Sequence, residues 1–271
     1  MTLALDRVSY RYAGGRGPAL REISLELSDG EVVGVVGASE AGKTTLCLVA
    51  SGLAPRAAGG TLRGRVLVDG VDTADWPMHE MSARIGIAFQ SPTNQLSQVA
   101  DTVFEEVAFG PMNLAIERDD LLARTWDALD ALRIADLAGR DPRRLSGGQQ
   151  QLVAIAGLIA MRPRHLVLDE PTAQLDPAGT RLVAEAVGRL AADGASLLIA
   201  EQKTDLLAAV TTRVVALVDG AIALEGDAAE VLGDERLTTL GVPPPAAVRL
   251  TRLARSAQVN SDRLEEALRS D

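Results

Sequence analysis

Short apolar runs alternate with longer segments of helical periodicity along most of the chain. Four of these runs are too short for a stable helix and are bounded by Gly, Asp or Glu, which predicts buried strands at 31–36, 166–168, 196–200 and 214–218. Strands that alternate with helices in this way are typical of a parallel sheet covered by helices. The pattern therefore predicts an α/β fold.

The first part of the chain has a different pattern, because two β-like segments at 3–12 and 23–27 follow each other without a helix between them. We expect these two segments to pair in the antiparallel sense. Asp-Gly pairs at 69–70 and 219–220 stand between apolar runs, which is a strong hairpin signal. The sequence therefore predicts an antiparallel β subdomain near the N-terminus.

Helical periodicity is concentrated between about 91 and 161, where it interrupts the strands and predicts an inserted α-helical subdomain. A Gly-Val-Pro-Pro-Pro segment at 241–245 predicts a stiff linker, since proline can neither continue a helix nor join a sheet. Two short helical patterns follow the linker, at 246–255 and 262–269. We therefore divide the chain into a main domain, 1–240, and a linker with a C-terminal helical extension, 241–271.

The composition excludes several classes of protein. Asp and Glu outnumber Lys and Arg by 37 to 27, and the resulting net charge of −10 disfavours a module that holds nucleic acid by neutralising phosphates. The single cysteine, Cys47, excludes an intramolecular disulfide framework and a Cys-rich zinc site. The longest apolar run in a helical context, 151–161, is well short of the ~20 residues that a membrane span needs. We therefore expect a cytosolic chain, or one that reaches a membrane only through partners.

An eight-residue segment after the first predicted buried strand has the pattern G-x-x-x-x-G-K-[ST], which is typical of a phosphate-binding loop. Its residues are Gly37, Ala38, Ser39, Glu40, Ala41, Gly42, Lys43 and Thr44. A helix-compatible segment begins at Thr45, so backbone N–H groups and the helix N-terminus are expected to face the phosphates. We expect Lys43 to reach the β- and γ-phosphates and the Thr44 hydroxyl to ligate Mg²⁺, with Thr45 also in the nucleotide-binding set. A chance Gly-rich turn would not explain the strand–loop–helix context, so the segment predicts binding of a nucleoside triphosphate.

A second apolar strand ends in two carboxylates, Asp169 and Glu170. We assign Asp169 to the magnesium ion. Glu170 is placed to polarise the attacking water as a general base. A strand that ends in Asp-Glu is weak evidence alone, but together with the phosphate loop it predicts nucleotide hydrolysis.

The segment 145–149, Leu-Ser-Gly-Gly-Gln, distinguishes among the classes of nucleotide hydrolase. It resembles the signature of the ATP-binding cassette (ABC) ATPases, and the resemblance covers about residues 2–235. It implies a P-loop NTPase fold with a RecA-like parallel-sheet core. It also implies a second phosphate cradle, which serves the ATP bound to a partner ATPase and is formed by Ser146, Gly147, Gly148 and Gln149. A helix capped by Ser146 is the plainer interpretation, and both can hold together.

The ABC resemblance extends to three further positions. Tyr12 resembles the aromatic residue that stacks on adenine, and Tyr10, two residues earlier on the same predicted strand face, is its competitor. Gln90 resembles the glutamine that senses magnesium and contacts the membrane partner. Asp176, in the segment that begins at Ala173, resembles a residue of the loop that crosses the dimer interface.

Two positions depart from the ABC pattern. Gln202 stands where most of these ATPases have a histidine that contacts the γ-phosphate, and an amide can neither carry positive charge nor exchange a proton. We assign Gln202 to catalysis beside Glu170, and we expect this site to turn over slowly while a partner subunit carries a faster one. Glu40 replaces a glycine, and we expect it to point to solvent because a carboxylate beside a polyphosphate is a like-charge contact.

The segments 89–96 and 102–114 are similar to those of the ATPases of energy-coupling factor (ECF) importers. This resemblance implies ATP and Mg²⁺ as cofactors, and ATP-driven dimer closure coupled to uptake of a vitamin or a transition-metal ion. It implies three kinds of partner, which are a second ABC ATPase subunit, a transmembrane coupling subunit and a small substrate-capture membrane protein. It implies no nucleic-acid partner. It also implies a peripheral location at the cytoplasmic face of the cell membrane. The ATPase of a conventional ABC transporter, a soluble single-cassette ABC ATPase and a P-loop kinase are the alternatives.

Overall fold

The computed structural model describes residues 2–256, which contain two β-sheets and a set of surrounding helices. The strands are β1 (Thr2–Arg11), β2 (Leu20–Ser28), β3 (Val32–Gly37), β4 (Thr61–Val68), β5 (Val71–Asp72), β6 (Ile85–Ala88), β7 (His165–Asp169), β8 (Ser196–Ala200), β9 (Arg213–Val218) and β10 (Ala221–Asp227). The helices are α1 (Lys43–Ala50), α2 (Leu53–Arg56), α3 (Met78–Arg84), α4 (Val103–Asn113), α5 (Arg118–Ala131), α6 (Gly147–Met161), α7 (Pro177–Ala192), α8 (Thr204–Val210), α9 (Ala228–Gly233), α10 (Arg236–Thr239) and α11 (Ala246–Ser256). Short 3-10 turns lie at Pro92–Asn94, Ala135–Leu137 and Pro142–Arg144.

The larger sheet has six strands in the order β10-β9-β3-β8-β7-β6, and all neighbours except β10 and β9 pair in the parallel sense. The four strands predicted as buried are confirmed as β3, β7, β8 and β9, each within one residue at either end. Strand β3 lies in the interior of the sheet between β9 and β8, so its carboxyl end faces the centre of one sheet edge. The expected α/β fold with a parallel-sheet core is confirmed.

The smaller sheet contains β2-β1-β4-β5, and its strands are all antiparallel. This confirms the predicted pairing of the first two segments, although β2 begins at Leu20, earlier than predicted. The Asp-Gly pair at 69–70 joins β4 to β5, and the pair at 219–220 joins β9 to β10. Both aspartates and both glycines have positive φ, as such hairpin turns require.

The two faces of the larger sheet pack into two separate apolar cores, because successive residues of a strand point to opposite faces. On β3, Val32 and Val36 join the core beneath the helical segment, whereas Val33 and Val35 join the core shared with α1 and the smaller sheet. Cys47 of α1 is buried in that second core, and burial raises the pKa of its thiol well above the ordinary value. The thiol therefore stays protonated and unreactive in the folded protein.

Helices α4, α5 and α6 occupy the segment that the periodicity assigned to an inserted helical subdomain. Thr102 and Glu105 form a reciprocal capping box that fixes the start of α4. The domain boundaries at about 91, 161 and 240 stay predictions. Of the two helical patterns in the C-terminal extension, the first is confirmed as α11, and the second, at 262–269, lies outside the described residues. No helix within residues 2–256 has both the length and the apolar character needed to cross a membrane.

Candidate nucleotide-binding and hydrolysis site

Four parts of the sequence-predicted site lie at or just beyond the carboxyl ends of four parallel strands. The phosphate loop follows β3, Asp169 ends β7, Gln90 lies just beyond β6, and Gln202 lies just beyond β8. In an open α/β sheet the carboxyl ends of the strands form the edge where ligands bind. The fold therefore brings these distant segments of the chain to one edge.

The phosphate loop wraps from β3 into the N-terminus of α1. Gly42 is the N-cap of α1 and has φ 106°, a conformation that favours glycine, and no side chain caps the helix. The N–H groups of the first turn are therefore left for a ligand. A side chain at Gly37 or Gly42 would also collide with neighbouring backbone, since a Cβ would lie 2.8 Å from the carbonyl oxygen of Leu217 or 2.9 Å from that of Ala19.

Lys43 is buried, and its ammonium is held inside the loop. Its Nζ donates to the carbonyl oxygens of Gly37 at 2.9 Å and Ala38 at 3.1 Å. These bonds keep a positive charge at the mouth of the loop, where a triphosphate can exchange for the carbonyls. Glu40 is exposed and has φ 65°, which confirms that it points to solvent.

Asp169 fits the predicted role as a magnesium ligand. It is 3% exposed, and its Oδ1 is buried without a hydrogen-bond partner. Burial raises the pKa of this carboxyl; the Thr44 hydroxyl opposes the rise, and the charge of Glu170 adds to it. An unpaired buried carboxylate oxygen beside the Thr44 hydroxyl is an oxygen donor set that a hard cation such as Mg²⁺ prefers. Within residues 2–256 no cluster of three or more His, Cys, Asp or Glu offers another metal site.

Glu170 is clamped by two amide side chains. Gln90 donates from Nε2 to Glu170 Oε2 at 2.6 Å, and Gln202 donates from Nε2 to Glu170 Oε1 at 2.7 Å. Glu170 itself has φ 50°, a backbone conformation that is uncommon for a residue with a side chain. Three of the predicted site residues are thus in direct contact: Gln90 and Gln202 each donate a hydrogen bond to the candidate general base, Glu170.

The two tyrosines have different environments. Tyr10 is 1% exposed, and its hydroxyl donates to the carbonyl oxygen of Gly59, so it is a core residue. Tyr12 lies beyond the end of β1, is 36% exposed, and shares a hydrogen bond of 3.1 Å with the hydroxyl of Thr45 on α1. The partly exposed ring next to α1 favours Tyr12 over Tyr10 as the aromatic residue for adenine.

The signature segment forms a capped helix start. The hydroxyl of Ser146 accepts from the backbone N–H of Gln149, and the Gln149 side chain accepts from the backbone N–H of Ser146. The capping interpretation therefore explains Gln149 as well as Ser146, which is more than the sequence alone indicated. A Cβ on Gly147 would meet only the end of the Gln174 side chain, which is free to move aside, whereas one on Gly148 would lie 3.2 Å from the carbonyl oxygen of Gln174. Asp176 caps α7 by accepting from the N–H of Gly179 at 2.7 Å. The roles of these residues at a partner's ATP stay predictions.

Comparison with known proteins identifies the family. Residues 20–173, more than half of the chain, match the family described as ABC transporter. The chain belongs to the ABC transporter ATPase family. It is 40% identical over 257 residues to the cobalt import ATP-binding protein CbiO of Rhodobacter capsulatus, covering 92% of this chain and 87% of that protein. It is 37% identical over 250 residues to the energy-coupling factor transporter ATP-binding protein EcfA of Methanosarcina acetivorans, covering 92% of this chain and 88% of that protein.

Among solved structures, CbiO1 of Clostridium perfringens, part of the ABC transporter complex CbiONQ, superimposes with a TM-score of 0.73. It is 30% identical and covers 92% of this chain and 98% of that one. This ABC ATPase thus has the P-loop fold and hydrolyses ATP coupled to transport. The resemblance to ECF-type ATPases is confirmed.

Three site residues of this ABC ATPase lie outside the sequence-predicted set. Glu201 and Thr172 are buried, and together with the exposed Lys203 they form a hydrogen-bonded group next to Glu170 and Gln202. An acidic residue directly after the apolar strand β8 is the one local signal that could have indicated this group. The partner of Glu201 lies 29 positions earlier in the chain, so spacing alone could not pair them.

Proposed function

We propose that this ABC ATPase is the ATP-hydrolysing subunit of an ECF-type importer and that it works at the cytoplasmic face of the cell membrane. Two ATPs would close a dimer of this chain with a second ATPase, and closure would drive a transmembrane coupling subunit. A small membrane protein would capture the vitamin or transition-metal ion. The names of the Rhodobacter and Methanosarcina relatives, cobalt import and energy coupling, support this choice over a conventional ABC transporter.

The observation that carries the proposal is a short segment that connects the candidate general base to a surface cleft. At one end of this segment, Gln90 donates to Glu170. Five residues later, Gln95 accepts from the N–H of Phe89 at 3.1 Å and donates to the carbonyl oxygen of Ala154 on α6 at 3.3 Å. We propose that a movement at Glu170 is passed to Gln95 through this hydrogen-bonded loop.

Gln95 lines a mainly apolar cleft of about 250 Å³ between β6, α4 and α6. Phe109 of α4 stands at the cleft and is 40% exposed, and Met112, one turn further along α4, is 61% exposed. Exposed apolar side chains around a cleft are typical of an interaction site. We propose that the transmembrane coupling subunit inserts a helix here, so that closure of the ATPase dimer moves that helix.

At the catalytic centre, Glu170 would accept the proton of the attacking water, with its carboxylate oriented by the amides of Gln90 and Gln202. Lys43 and the N–H groups at the start of α1 would hold the triphosphate, and Tyr12 the adenine. Asp169 and Thr44 would hold Mg²⁺, which supplies charge neutralisation of the phosphates.

Substitution of Phe109, which lines the cleft, and of the exposed Met112 nearby on α4 tests the partner site. We expect Phe109→Glu with Met112→Glu to lower the fraction of the tagged chain that sediments with membranes by about tenfold, because burying a charge in an apolar contact is unfavourable. Val71→Glu is the matched control, since Val71 is 53% exposed but lies in the β4–β5 hairpin. Equal membrane fractions for wild type and the double variant would contradict the proposal.

Replacement of Gln202 by histidine tests the slow site. We expect Gln202→His to raise the ATP turnover of the assembled complex several-fold, because an imidazole can carry a proton that an amide cannot. The rate of phosphate release from the purified complex gives the answer. An unchanged rate would show that Gln202 does not limit turnover.

A further inference from the structure

Glu201 is a buried carboxylate outside the ABC motifs identified above. It is 1% exposed, and both of its oxygens accept hydrogen bonds. Oε1 accepts from the backbone N–H of Gln202 at 2.9 Å and from that of Lys203 at 3.1 Å. Oε2 accepts from the Thr172 hydroxyl at 2.7 Å and from the Thr172 N–H at 3.4 Å. Removing a carboxylate from water is unfavourable unless hydrogen bonds replace the lost hydration, and these four bonds do so.

Two of the four bonds, those from Thr172, join two loops that carry the reaction chemistry, and the other two fix the backbone of the loop that contains Glu201. One loop leaves β8 and contains Gln202, and the other leaves β7 and contains Glu170. Lys203 closes the same junction from the other side, because its Nζ donates to the carbonyl oxygen of Thr172 at 2.9 Å. Backbone pairing continues up to this point, since the N–H of Glu170 donates to the carbonyl oxygen of Ala200 at 2.8 Å. The two loops are therefore held at a fixed spacing by side chains of both signs.

We propose that Glu201 is a positioning residue for hydrolysis, which fixes the backbone of Gln202 so that its amide meets the carboxylate of Glu170. The contact that depends on it is the 2.7 Å bond between Gln202 Nε2 and Glu170 Oε1. With the N–H groups of Gln202 and Lys203 released, the carboxamide samples other rotamers, and Glu170 loses one of its two orienting donors. The inference rests on the proposed roles of Gln202 and Glu170.

Glu201→Ala removes all four bonds, whereas Glu201→Gln is the conservative variant. The Gln oxygen still accepts from the two backbone N–H groups, and its amide donates to the Thr172 hydroxyl, which turns to accept, so that only the 3.4 Å bond from the Thr172 N–H is lost. In the tagged complex isolated from membranes and supplied with Mg-ATP, we expect Glu201→Ala to lower kcat about tenfold, as loss of hydrogen bonds to a charged group would. We expect the KM for ATP to change less than about twofold, and Glu201→Gln to keep most of the turnover.

Epistasis with Gln202 separates positioning from general destabilisation. In a Gln202→Ala background we expect Glu201→Ala to lower kcat by less than about twofold, because the contact through which it acts is already gone. Glu31→Ala is the matched control: this carboxylate binds Arg213 Nε at 2.8 Å at the other end of β3. We expect the control to lower Tm without changing kcat per folded molecule. Where Glu201→Ala does not fold, Thr172→Val removes one donor to Glu201 and is expected to lower kcat about threefold at constant KM.

An additive loss in the double variant, a KM that rises in proportion to the loss of kcat, or wild-type turnover in Glu201→Ala would each overturn the proposal. The two levels of the account fail differently. If Gln202→Ala lowers turnover and Glu201→Ala does not, only the positioning role of Glu201 is wrong. If Gln202→Ala leaves turnover unchanged, the proposed role of Gln202 is wrong, and the positioning role of Glu201 is wrong with it.

Discussion

Replacing Glu170 by Gln is expected to lower ATP turnover by at least about a hundredfold, the contribution typical of a general base. The structure gives two reasons. The amide cannot accept a proton from water, and one of its two ends presents N–H groups to the donor amides of Gln90 or Gln202, which both bind the carboxylate in the wild type. The orienting clamp is therefore disturbed together with the base.

ATP binding is expected to survive Glu170→Gln. Lys43 donates its hydrogen bonds to the carbonyl oxygens of Gly37 and Ala38 and none to Glu170, so the substitution leaves the phosphate loop unchanged. The measurement compares kcat with the Kd for ATP in one purified preparation. Glu185→Gln is a control. This exposed carboxylate lies on α7, away from the site, and pairs with Arg133 at 3.4 Å. If Glu170→Gln still hydrolyses ATP at near the wild-type rate, Glu170 is not the general base.

Asp169→Asn is expected to have opposite effects on stability and on activity. In the absence of nucleotide, the neutral side chain removes a buried charge whose Oδ1 has no hydrogen-bond partner, so we expect Tm to rise by about 2–4 °C. In the presence of ATP, the same change removes the proposed magnesium ligand. We expect turnover to fall about a hundredfold or more.

Thermal unfolding with and without EDTA separates the two effects of Asp169→Asn. Addition of Mg²⁺ to the ATP-bound wild type is expected to raise Tm, since a ligand that binds only the native state stabilises it. The variant is expected to show no such magnesium-dependent rise. A variant that keeps the full magnesium response would exclude Asp169 as the ligand.

Much of the fold could be predicted from local pattern. The strands β3, β7, β8 and β9 are short apolar runs, and their length and flanking residues are sufficient to identify them. Strand order could not be predicted this way. That β3 lies between β9 and β8 depends on contacts between segments far apart in the chain. The edge at which the site residues meet is therefore a property of the tertiary fold.

In the candidate site, too, the features that are local in sequence could be predicted and the contacts between distant segments could not. The phosphate loop is continuous in sequence, so its residues and their spacing already indicate the chemistry. The choice between Tyr10 and Tyr12 required the structure, because the strand ends at Arg11 and the alternation that places both on one face stops there. The bond between Gln202 and Glu170 and the group around Glu201 likewise join loops about 30 residues apart, for which no local pattern exists.

Purification of the tagged, full-length chain from mildly solubilised membranes, with its partners identified by mass spectrometry, tests the proposed function most directly. We predict recovery of a second ABC ATPase, one multi-span membrane subunit and one small membrane protein. Recovery of a pair of conventional permease subunits would agree with the assignment to the ABC ATPases but contradict the proposal of an ECF-type importer. A chain found only in the soluble fraction, alone or with ribosomes, would contradict the transport role itself.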